Sequence, residues 1–359
     1  MRAAVLSAGY AVRVRVMVVL LVAGQLLATP GGEAVAAGTP MVAFATASRE
    51  HVRVAAGDRT RLARVPYQRG FSLRGDLIAT ESGPGVVGYD ARTGVRRFTV
   101  RDAALPTVLD PRGRVAFWAT YERDRQVNSL WVREIDGRVR RIVQFSNGGD
   151  LPGYDTGYEG DAGLLSTSFD AAGAKVALAE GNDVSLFIYD VYVVNVATGR
   201  VRRITNDRRS RWPSISPNGR RVAYQREVAE CGPDYVRAGR LVVERVDGTG
   251  ERILSSGSCD AWLSNPRWIN DTHVVAYRQR RTTGREFDVD LVLVEAATGV
   301  QRALTGSGMV SFFSVDPATG RIAFERLDTD GFNVIDLAGN RTRFARGAFP
   351  HMAGEPGTL

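Results

Sequence analysis

The chain has 359 residues, of which 44% are hydrophobic and 24% charged, as expected of a folded globular protein. Its formal net charge of +8 comes almost entirely from arginine, since lysine occurs only at Lys175. The arginines are spread along the chain and form no basic block, which argues against a nucleic-acid-binding protein. We interpret them as solvated side chains on strand surfaces.

The first predicted element is an export signal over residues 1–36. Arg2, Arg13 and Arg15 precede an apolar run over 16–28, and an A-x-A pattern follows at 34–36. This order is typical of a secretory signal peptide, and the run is shorter than the about 20 apolar residues that span a bilayer. A short membrane anchor is the alternative. We expect a mature chain from Ala37 onward, secreted or in the cell envelope, with no membrane span after cleavage.

A β-hairpin is predicted over residues 211–227. Pro217, Asn218 and Gly219 form a typical turn sequence, because Pro presets φ while Asn and Gly tolerate positive φ. The following residues alternate, which places Val222 and Tyr224 on one face of a strand. This hairpin is the unit that the rest of the chain repeats.

Comparable hairpins recur along the chain, and most centre their second strand on an apolar-Ala-aromatic triplet. They begin at Phe71, Thr107, Thr167, Pro266 and Phe312. A second hairpin follows each copy, and its last strand carries an arginine just before an apolar residue. Four strands per unit, separated by turns, are typical of the blades of a β-propeller. No sustained helical period occurs after the signal.

The two ends of the chain complement each other. The stretch from Met41 contains three predicted strands and lacks the first strand of the unit, whereas 349–353 resembles an isolated first strand. Pairing of these pieces would close the ring and remove exposed sheet edges. The predicted fold is therefore all-β: a single closed β-propeller over residues 37–359, with seven four-stranded blades. Six blades is the alternative.

Three runs of residues carry a family resemblance. Arg203-Ile204-Thr205-Asn206-Asp207, then Trp212 to Gly219, then Val222-Ala223-Tyr224 resemble the repeat of the TolB-like (WD40-like) β-propellers. That repeat reads R-x-L-T, P-x-x-S-P-D-G and I-A-F, so Asn218 stands where the family has Asp. The resemblance covers nearly the whole mature chain and implies the propeller fold. The amino-terminal helical domain of TolB is absent, so a TolB-type partner system is not implied.

No catalytic motif emerges from the sequence. It lacks a G-x-S-x-G nucleophile elbow and glycine-rich nucleotide-binding patterns. Some TolB-like propellers resemble polysaccharide lyases that hold a divalent ion with several histidines, but His51, His273 and His351 are not predicted to converge. The acidic loop over 150–161 has oxygen ligands suited to calcium, but a solvated connection is the preferred interpretation. We therefore predict no catalytic residues, no metal site and no cofactor.

Loop length differs between the two ends of the predicted ring. Turns within each hairpin are short, whereas the second-to-third loops and the inter-blade connections hold all the long insertions. Functional residues favour loops on a rigid scaffold, and aromatic side chains are enriched at binding hot spots. The candidate binding residues on this loop-rich face are Tyr121, Tyr154, Asp155, Tyr158, Tyr235 and Trp262.

The two cysteines are predicted to form a disulfide. Cys231 lies in a second-to-third loop, and Cys259 in the connection that leaves the same blade. Both segments open on the loop-rich face, and export permits oxidation. A free buried pair is the alternative.

These observations favour an exported, non-enzymatic scaffold that binds a protein or peptide of the cell envelope or exterior through the loop-rich face and the channel mouth. An anionic cell-surface polymer is a second candidate partner, and we expect no nucleic acid and a monomeric protein. The alternative function is a metal-dependent, polysaccharide-active enzyme that resembles the propeller lyases.

The export signal can be tested directly. Mass spectrometry of the secreted protein should find an amino terminus close to Ala37, because the small residues at 34–36 are a cleavage site. Recovery of a chain that keeps Met1 in the membrane fraction would contradict this prediction.

Overall fold

The structure is a computed structural model that describes residues 41–344, except for 46–50, 57–59, 67–70, 75–76, 83–84, 102, 110–113, 123–126, 145–161, 183–187, 232–236, 283–286, 307, 309, 318 and 327–331. All the regular secondary-structure elements in the described residues are β-strands. No helix there has the length and apolar character needed to cross a membrane.

The described strands form seven antiparallel sheets, of which the first has three strands and the others four. The first sheet comprises β1 (Met41–Ala45), β2 (His51–Ala56) and β3 (Thr60–Pro66). The second comprises β4 (Phe71–Arg74), β5 (Leu77–Ser82), β6 (Gly85–Asp90) and β7 (Arg96–Arg101). The third comprises β8 (Ala103–Leu109), β9 (Val115–Glu122), β10 (Val127–Arg133) and β11 (Val139–Gln144).

The remaining sheets follow the same order along the chain. The fourth comprises β12 (Ala162–Phe169), β13 (Lys175–Asn182), β14 (Ile188–Asn195) and β15 (Val201–Arg203). The fifth comprises β16 (Ser210–Ile215), β17 (Arg221–Glu230), β18 (Arg237–Arg245) and β19 (Arg252–Ile253). The sixth comprises β20 (Ala261–Trp268), β21 (His273–Arg281), β22 (Phe287–Glu295) and β23 (Gln301–Ala303). The seventh comprises β24 (Val310–Asp316), β25 (Arg321–Arg326), β26 (Phe332–Asp336) and β27 (Arg341–Phe344).

The sheets are arranged as blades around an axis. The inner strands of neighbouring sheets contact each other in the order β4, β8, β12, β16, β20 and β24, and β1 of the three-stranded sheet contacts β4. This succession of inner strands, with three further strands outward in each complete sheet, confirms the predicted all-β propeller-like fold. The segment predicted to close the ring, 349–353, lies outside the described residues.

The apolar-Ala-aromatic triplet is explained by packing between sheets. Val222 and Tyr224 face the fourth sheet and pack with Val191. Ala223 faces the sixth sheet and packs with Trp268. All five side chains are essentially buried, and burying a large apolar side chain contributes roughly 1.5–3 kcal/mol. The triplet thus contributes buried apolar side chains to the packing on both faces of its blade from a single strand.

The turn between β16 and β17 shows why its sequence recurs. Ser216 Oγ accepts hydrogen bonds from the amides of Arg220 and Arg221, at 3.3 and 3.0 Å. Gly219 has φ +66°, and a Cβ there would lie 2.5 Å from Asp170 Oδ2 of the preceding sheet. Glycine is needed both for the positive φ and for the close approach of two neighbouring turns.

Cationic side chains connect the turns of successive sheets. Arg114 donates to the Gly173 carbonyl, Lys175 Nζ to the Gly219 carbonyl at 2.6 Å, and Arg221 Nη2 to the Asp271 carbonyl at 3.0 Å. Each donor begins, or immediately precedes, the second strand of its sheet, and each acceptor lies in the corresponding turn of the next sheet. We call these three pairs the inter-blade clamps.

Arginines on the outer strands make similar hydrogen bonds to carbonyl groups of the next sheet. Arg202 of β15 donates to the Asp247 carbonyl in the fifth sheet, and Arg302 of β23 to the Leu337 carbonyl in the seventh. Arg202 and Arg302 are exposed, as the interpretation of the arginines as solvated surface side chains expects. That interpretation is wrong for Arg114, which is only 7% exposed.

The clamps can be tested at Arg221. The variant Arg221→Met keeps the aliphatic stem but loses the bond to the next sheet and the guanidinium 5.5 Å from the Trp268 ring centroid. Because a hydrogen bond from a charged donor contributes about 1.5–3 kcal/mol, we expect an unfolding free energy lower by about this amount in denaturant titrations. The neighbouring Arg220→Met, which alters an exposed side chain, serves as the control. Equal stability of the two variants would contradict a clamping role.

Candidate functional site

The loop-rich end of the fifth sheet carries the candidate site. Turns that join the third and fourth strands are short, as in 91–95, 196–200 and 296–300. The opposite end receives the second-to-third loops and the connections between sheets, including 231–236 and 254–260. Strand β16 begins at this opposite end. Its first residues therefore lie at the mouth of the propeller, beside the end of β17 and the start of β18.

An arginine–glutamate cluster occupies this end of the sheet. Glu227 Oε2 accepts a hydrogen bond from Arg237 Nη1 at 2.8 Å, and Oε1 lies 3.0 Å from Arg211 Nη1. The side chain of Glu227 is 8% exposed and those of both arginines 13%. Arg237 also pairs with Glu230 at 3.2 Å, but that carboxylate is 62% exposed and solvated. Two guanidinium groups thus share one buried carboxylate.

The two arginines of the cluster are matched by two glutamates, but Glu230 is 62% exposed and the two guanidinium groups are more deeply buried. Burial lowers the pKa of the Arg211 guanidinium, Glu227 opposes this effect, and Arg237 lowers the pKa further. Arginine still remains protonated in proteins. The positive charge is therefore retained in a partly desolvated position, where it attracts anions more strongly than a fully solvated side chain does.

Unmet hydrogen-bonding capacity lies beside the cluster. Gln225 pairs with Arg211 across β16 and β17, so the two side chains project from the same face. Gln225 is fully buried, and within the described residues neither atom of its amide group nor Arg211 Nε has a hydrogen-bond partner. Gly239 provides room for this amide, since a Cβ there would lie 2.3 Å from Nε2. Buried polar groups normally have partners, so this position is suited to water or to the polar groups of a ligand.

An aromatic side chain borders the cluster. Trp212 is partly exposed and packs on Ala179 and Tyr189 of the fourth sheet. The guanidinium carbon of Arg211 lies 4.2 Å from the centroid of its ring. The site therefore combines cationic, amide and aromatic groups at the mouth of the ring.

The predicted disulfide is confirmed, and it supports this site from one side. Cys231 and Cys259 are bonded, with their Cα atoms 5.3 Å apart. The bond fixes the β17–β18 loop, directly after Glu230, to the connection that precedes β20. Trp262 is buried beneath it at 4% exposure and contacts the Phe287 ring edge-to-face at 5.1 Å. A disulfide of this kind is most common in oxidising compartments.

The other predicted binding residues are not described in detail. Tyr154, Asp155, Tyr158 and Tyr235, together with the acidic loop 150–161, lie outside the described residues. The backbone of Tyr121 lies in β9, near its loop-rich end, and its side chain is not among those described. Among these residues, Trp262 alone has a described side chain.

The sequence prediction missed the cluster itself. A signal was present, because the face of β17 that carries the apolar Ala223 continues with Gln225 and Glu227. Polar residues on a buried face are unusual and mark a candidate site. Identifying their partners Arg211 and Arg237 required the pairing of the strands.

The described residues do not fit a metal centre. His51 Nδ1 lies 3.0 Å from Arg64 Nη2 in the first sheet, whereas His273 Nδ1 lies 2.9 Å from Thr272 Oγ1 in the turn before β21. These two histidines belong to different sheets, and His351 lies outside the described residues. No group of three or more His, Cys, Asp or Glu side chains in the described part of the chain could hold a metal ion.

Comparison with known proteins identifies the fold. No family model and no curated protein matches the sequence. Among solved structures, an oligogalacturonate lyase from Vibrio parahaemolyticus is 12% identical with a TM-score of 0.56, over 85% of this chain and 84% of that one. An oligogalacturonate lyase in complex with manganese is 14% identical with a TM-score of 0.57 and the same coverage. The β-propeller domain of the Trilobed protease from Pyrococcus furiosus, described as having an open velcro topology, is 13% identical with a TM-score of 0.54, over 78% and 83%.

These similarities show the propeller fold and correct one expectation about function. The leading hypothesis from the sequence, that the chain is a non-enzymatic scaffold, is wrong. The similar propellers are lyases or belong to a protease.

Proposed function

We propose that this protein is an enzyme that cleaves an anionic, uronate-containing polysaccharide at the loop-rich end of the propeller. The observation that carries the proposal is the pair of partly desolvated arginines, Arg211 and Arg237, around Glu227. The fold is shared with oligogalacturonate lyases over most of both chains, which supports the same substrate class. An anionic polymer is also the partner that a protein with net charge +8 attracts.

The chemistry of uronate cleavage explains the need for cations. In a lyase reaction a base, here from solvent at the open end of the propeller, takes the proton on the carbon next to the carboxylate. The C–H electron pair forms a carbon–carbon double bond, and the glycosidic oxygen leaves from the following carbon and takes up a proton from solvent. Negative charge accumulates on the carboxylate as the proton leaves. Fixed positive groups in a partly desolvated site stabilise such charge, and removing one typically lowers kcat by about 10²–10³-fold. In this proposal Arg211 and Arg237 supply the positive charge that stabilises the substrate carboxylate, and Glu227 holds the two guanidinium groups together.

Neighbouring groups would orient the rest of the sugar. The fully buried, unpaired amide of Gln225 offers a donor and an acceptor to water bound beside Arg211. The predicted residues Tyr121, Tyr154, Asp155, Tyr158 and Tyr235 would extend the binding surface across the loops. One oligogalacturonate lyase was solved with manganese, but the residues described here offer no such ion a site, and no step is assigned to a metal.

We further propose that the propeller is a closed ring of seven blades. The first sheet has three strands, and the segment 349–353 has the pattern of a missing inner strand. Pairing of this segment with β1 would make the first sheet four-stranded, which gives seven four-stranded blades in all. Export to an oxidising compartment, with cleavage near Ala37, fits the disulfide between Cys231 and Cys259.

The proposed activity predicts cleavage of polyuronates. The purified protein should depolymerise polygalacturonate or another uronate polymer and give an unsaturated product that absorbs in the ultraviolet, while a neutral polymer stays intact. Replacing either cluster arginine, as Arg211→Met or Arg237→Met, should lower kcat/KM by about 10²-fold or more, because charge stabilisation is lost.

The control for this experiment is Arg200→Met, an exposed arginine at the short-turn end. Circular dichroism melting of all variants separates lost folding from lost activity. No cleavage of any uronate polymer by the folded wild-type protein would contradict the proposed function.

Ring closure predicts a large effect of truncation. Deleting residues 347–359 should remove the partner of β1 and expose unpaired backbone groups, each worth roughly 1–3 kcal/mol when buried. We expect aggregation or a strongly lowered melting temperature. Unchanged melting would instead indicate an open ring.

A further inference from the structure

The outer edges of the second and third sheets carry an excess of arginine. Their third and fourth strands, with the turn between them, span residues 85–101 and 127–144 and hold eight arginines and three carboxylates. The corresponding segments of the fourth to seventh sheets hold ten arginines and eight carboxylates. Those segments are 188–203, 237–253, 287–303 and 332–344. The excess of positive charge is thus concentrated on two neighbouring blades, and we call the segments 85–101 and 127–144 the basic rim.

The positive charge of the basic rim is exposed, and its negative charge is already paired. Six of the eight arginines are exposed, whereas Asp136 is the only exposed carboxylate among the described side chains of the rim. Asp90 pairs with Arg97, and Glu134 with Arg140 at 2.8 Å. Asp136 lies 3.9 Å from Arg138. Among the described residues, no carboxylate pairs with the exposed Arg96, Arg101 and Arg141, so these three cations face solvent.

Direct contacts join the two segments into one surface. The guanidinium carbon of Arg133 in β10 lies 3.9 Å from the centroid of the Phe98 ring in β7. Phe98 and Trp131 pack on the same apolar cluster. The guanidinium carbon of Arg141 in β11 lies 5.9 Å from the centroid of the Trp131 ring. The arginines of the two edge strands are therefore presented side by side.

Protection of the sheet edges does not account for this distribution. Charged side chains on an edge strand discourage pairing with another chain, and every four-stranded sheet here ends in such a strand. The segment 85–101 holds four arginines and one carboxylate, whereas the equally long 287–303 of the sixth sheet holds one arginine and three carboxylates. Both edges are charged, but with opposite sign. The positive sign on the rim therefore needs a reason besides edge protection.

The shape of the basic rim suits an extended polyanion. Arg96 and Arg101 stand at the two ends of β7, about 17 Å apart for a strand that rises about 3.3 Å per residue. The exposed side chains of β7 are all polar, whereas binding to a membrane surface also uses apolar side chains that enter the interface. Exposed apolar side chains of the rim lie only in or next to the turns, at Val95, Ile135 and Val139. A polymer with a carboxylate on every sugar matches such a row of cations.

Resting on the proposed function for the identity of the polymer, we propose that the basic rim is a second binding surface for the polyuronate, separate from the site at Arg211. Positive groups on an open surface attract a polyanion by releasing its counterions, without recognising a particular sugar. A long chain held at the rim stays at high local concentration near the candidate site, which raises its apparent affinity without any new contact there.

The test compares two sets of three exposed arginines with the same loss of charge. The rim variant carries Arg96→Gln, Arg101→Gln and Arg141→Gln, and the control variant carries Arg220→Gln, Arg245→Gln and Arg252→Gln in the fifth sheet. Both are made in an Arg211→Met background, which slows the proposed cleavage. Biolayer interferometry on immobilised polygalacturonate measures affinity at several salt concentrations. The fully methyl-esterified polymer is the uncharged probe, and vesicles of equal parts phosphatidylcholine and phosphatidylglycerol are the membrane probe.

We expect the rim variant to bind polygalacturonate about tenfold or more weakly than the background protein, with a shallower dependence on salt, because fewer counterions are released. The control variant should bind nearly as tightly as the background protein, and the esterified polymer should bind to none of them. A further variant with lysine at the three rim positions keeps the charge and should retain most of the affinity. Thermal melting shows whether each variant folds.

The outcomes separate this inference from the proposed function. Unchanged binding by the rim variant, or equal weakening in the rim and control variants, overturns the rim and leaves cleavage at Arg211 standing. Failure of the rim variant to fold also overturns it, because the arginines would then serve the fold. Rim-dependent binding of vesicles without binding of the polymer overturns it in favour of a membrane contact. Rim-dependent binding of the polymer by a protein whose wild type cleaves no uronate supports the rim and contradicts the proposed function.

Discussion

Among the described strands, neighbouring blades share no backbone ladder, so the propeller depends largely on side chains that contact the next sheet. The inter-blade clamps provide this contact at the short-turn end, where Arg114, Lys175 and Arg221 each donate to a carbonyl in the following turn. A carbonyl acceptor has a fixed position, and a long cationic side chain can adapt to it while its stem packs on apolar neighbours. The clamps therefore set the spacing of the turns without requiring a particular side chain in the next sheet. Four of the arginines, Arg114, Arg221, Arg202 and Arg302, make such contacts with the next sheet.

Fixing one end of the ring leaves the other free to carry a site. Turns at the clamped end make close contacts with neighbouring sheets, such as that of Gly219 with Asp170. At the opposite end the connections vary in length, and the charged groups there form local clusters within one blade. The Cys231–Cys259 bond stabilises this end of the fifth sheet, beside Glu227 and Arg237. The inter-blade clamps and the candidate site thus lie at opposite ends of the same strands.

Much of the fold was predictable because its signals are local. The turn at Pro217, Asn218 and Gly219, the alternation after Arg221 and the three-strand start from Met41 all follow from residue types and period. The disulfide followed from the order of strands within one unit. The site did not follow, because it depends on a bulge: strict alternation places Arg211 and Ser214 on opposite faces, whereas the register shift between them places both on one face. At the level of sequence an enzyme was only the alternative function, since a candidate site assembled from three strands and a neighbouring blade leaves no compact motif.

A repeat protein provides its own comparison for deciding which residues serve the fold. Positions that the architecture requires hold the same kind of residue in successive blades, as the clamping cations and the central Ala of each triplet do. The position after the triplet behaves differently, since it holds Gln225, Arg278 and Glu325 in the last three sheets. These side chains differ in charge although all occupy one place in the blade, so inter-blade packing does not dictate them. The same reasoning applies to Trp212, whose equivalent in the sixth sheet is Asn265, since both have a positive φ and precede a proline. At the loop-rich end of the fifth sheet two such departures, Gln225 and Trp212, lie beside Arg211 of the arginine–glutamate cluster.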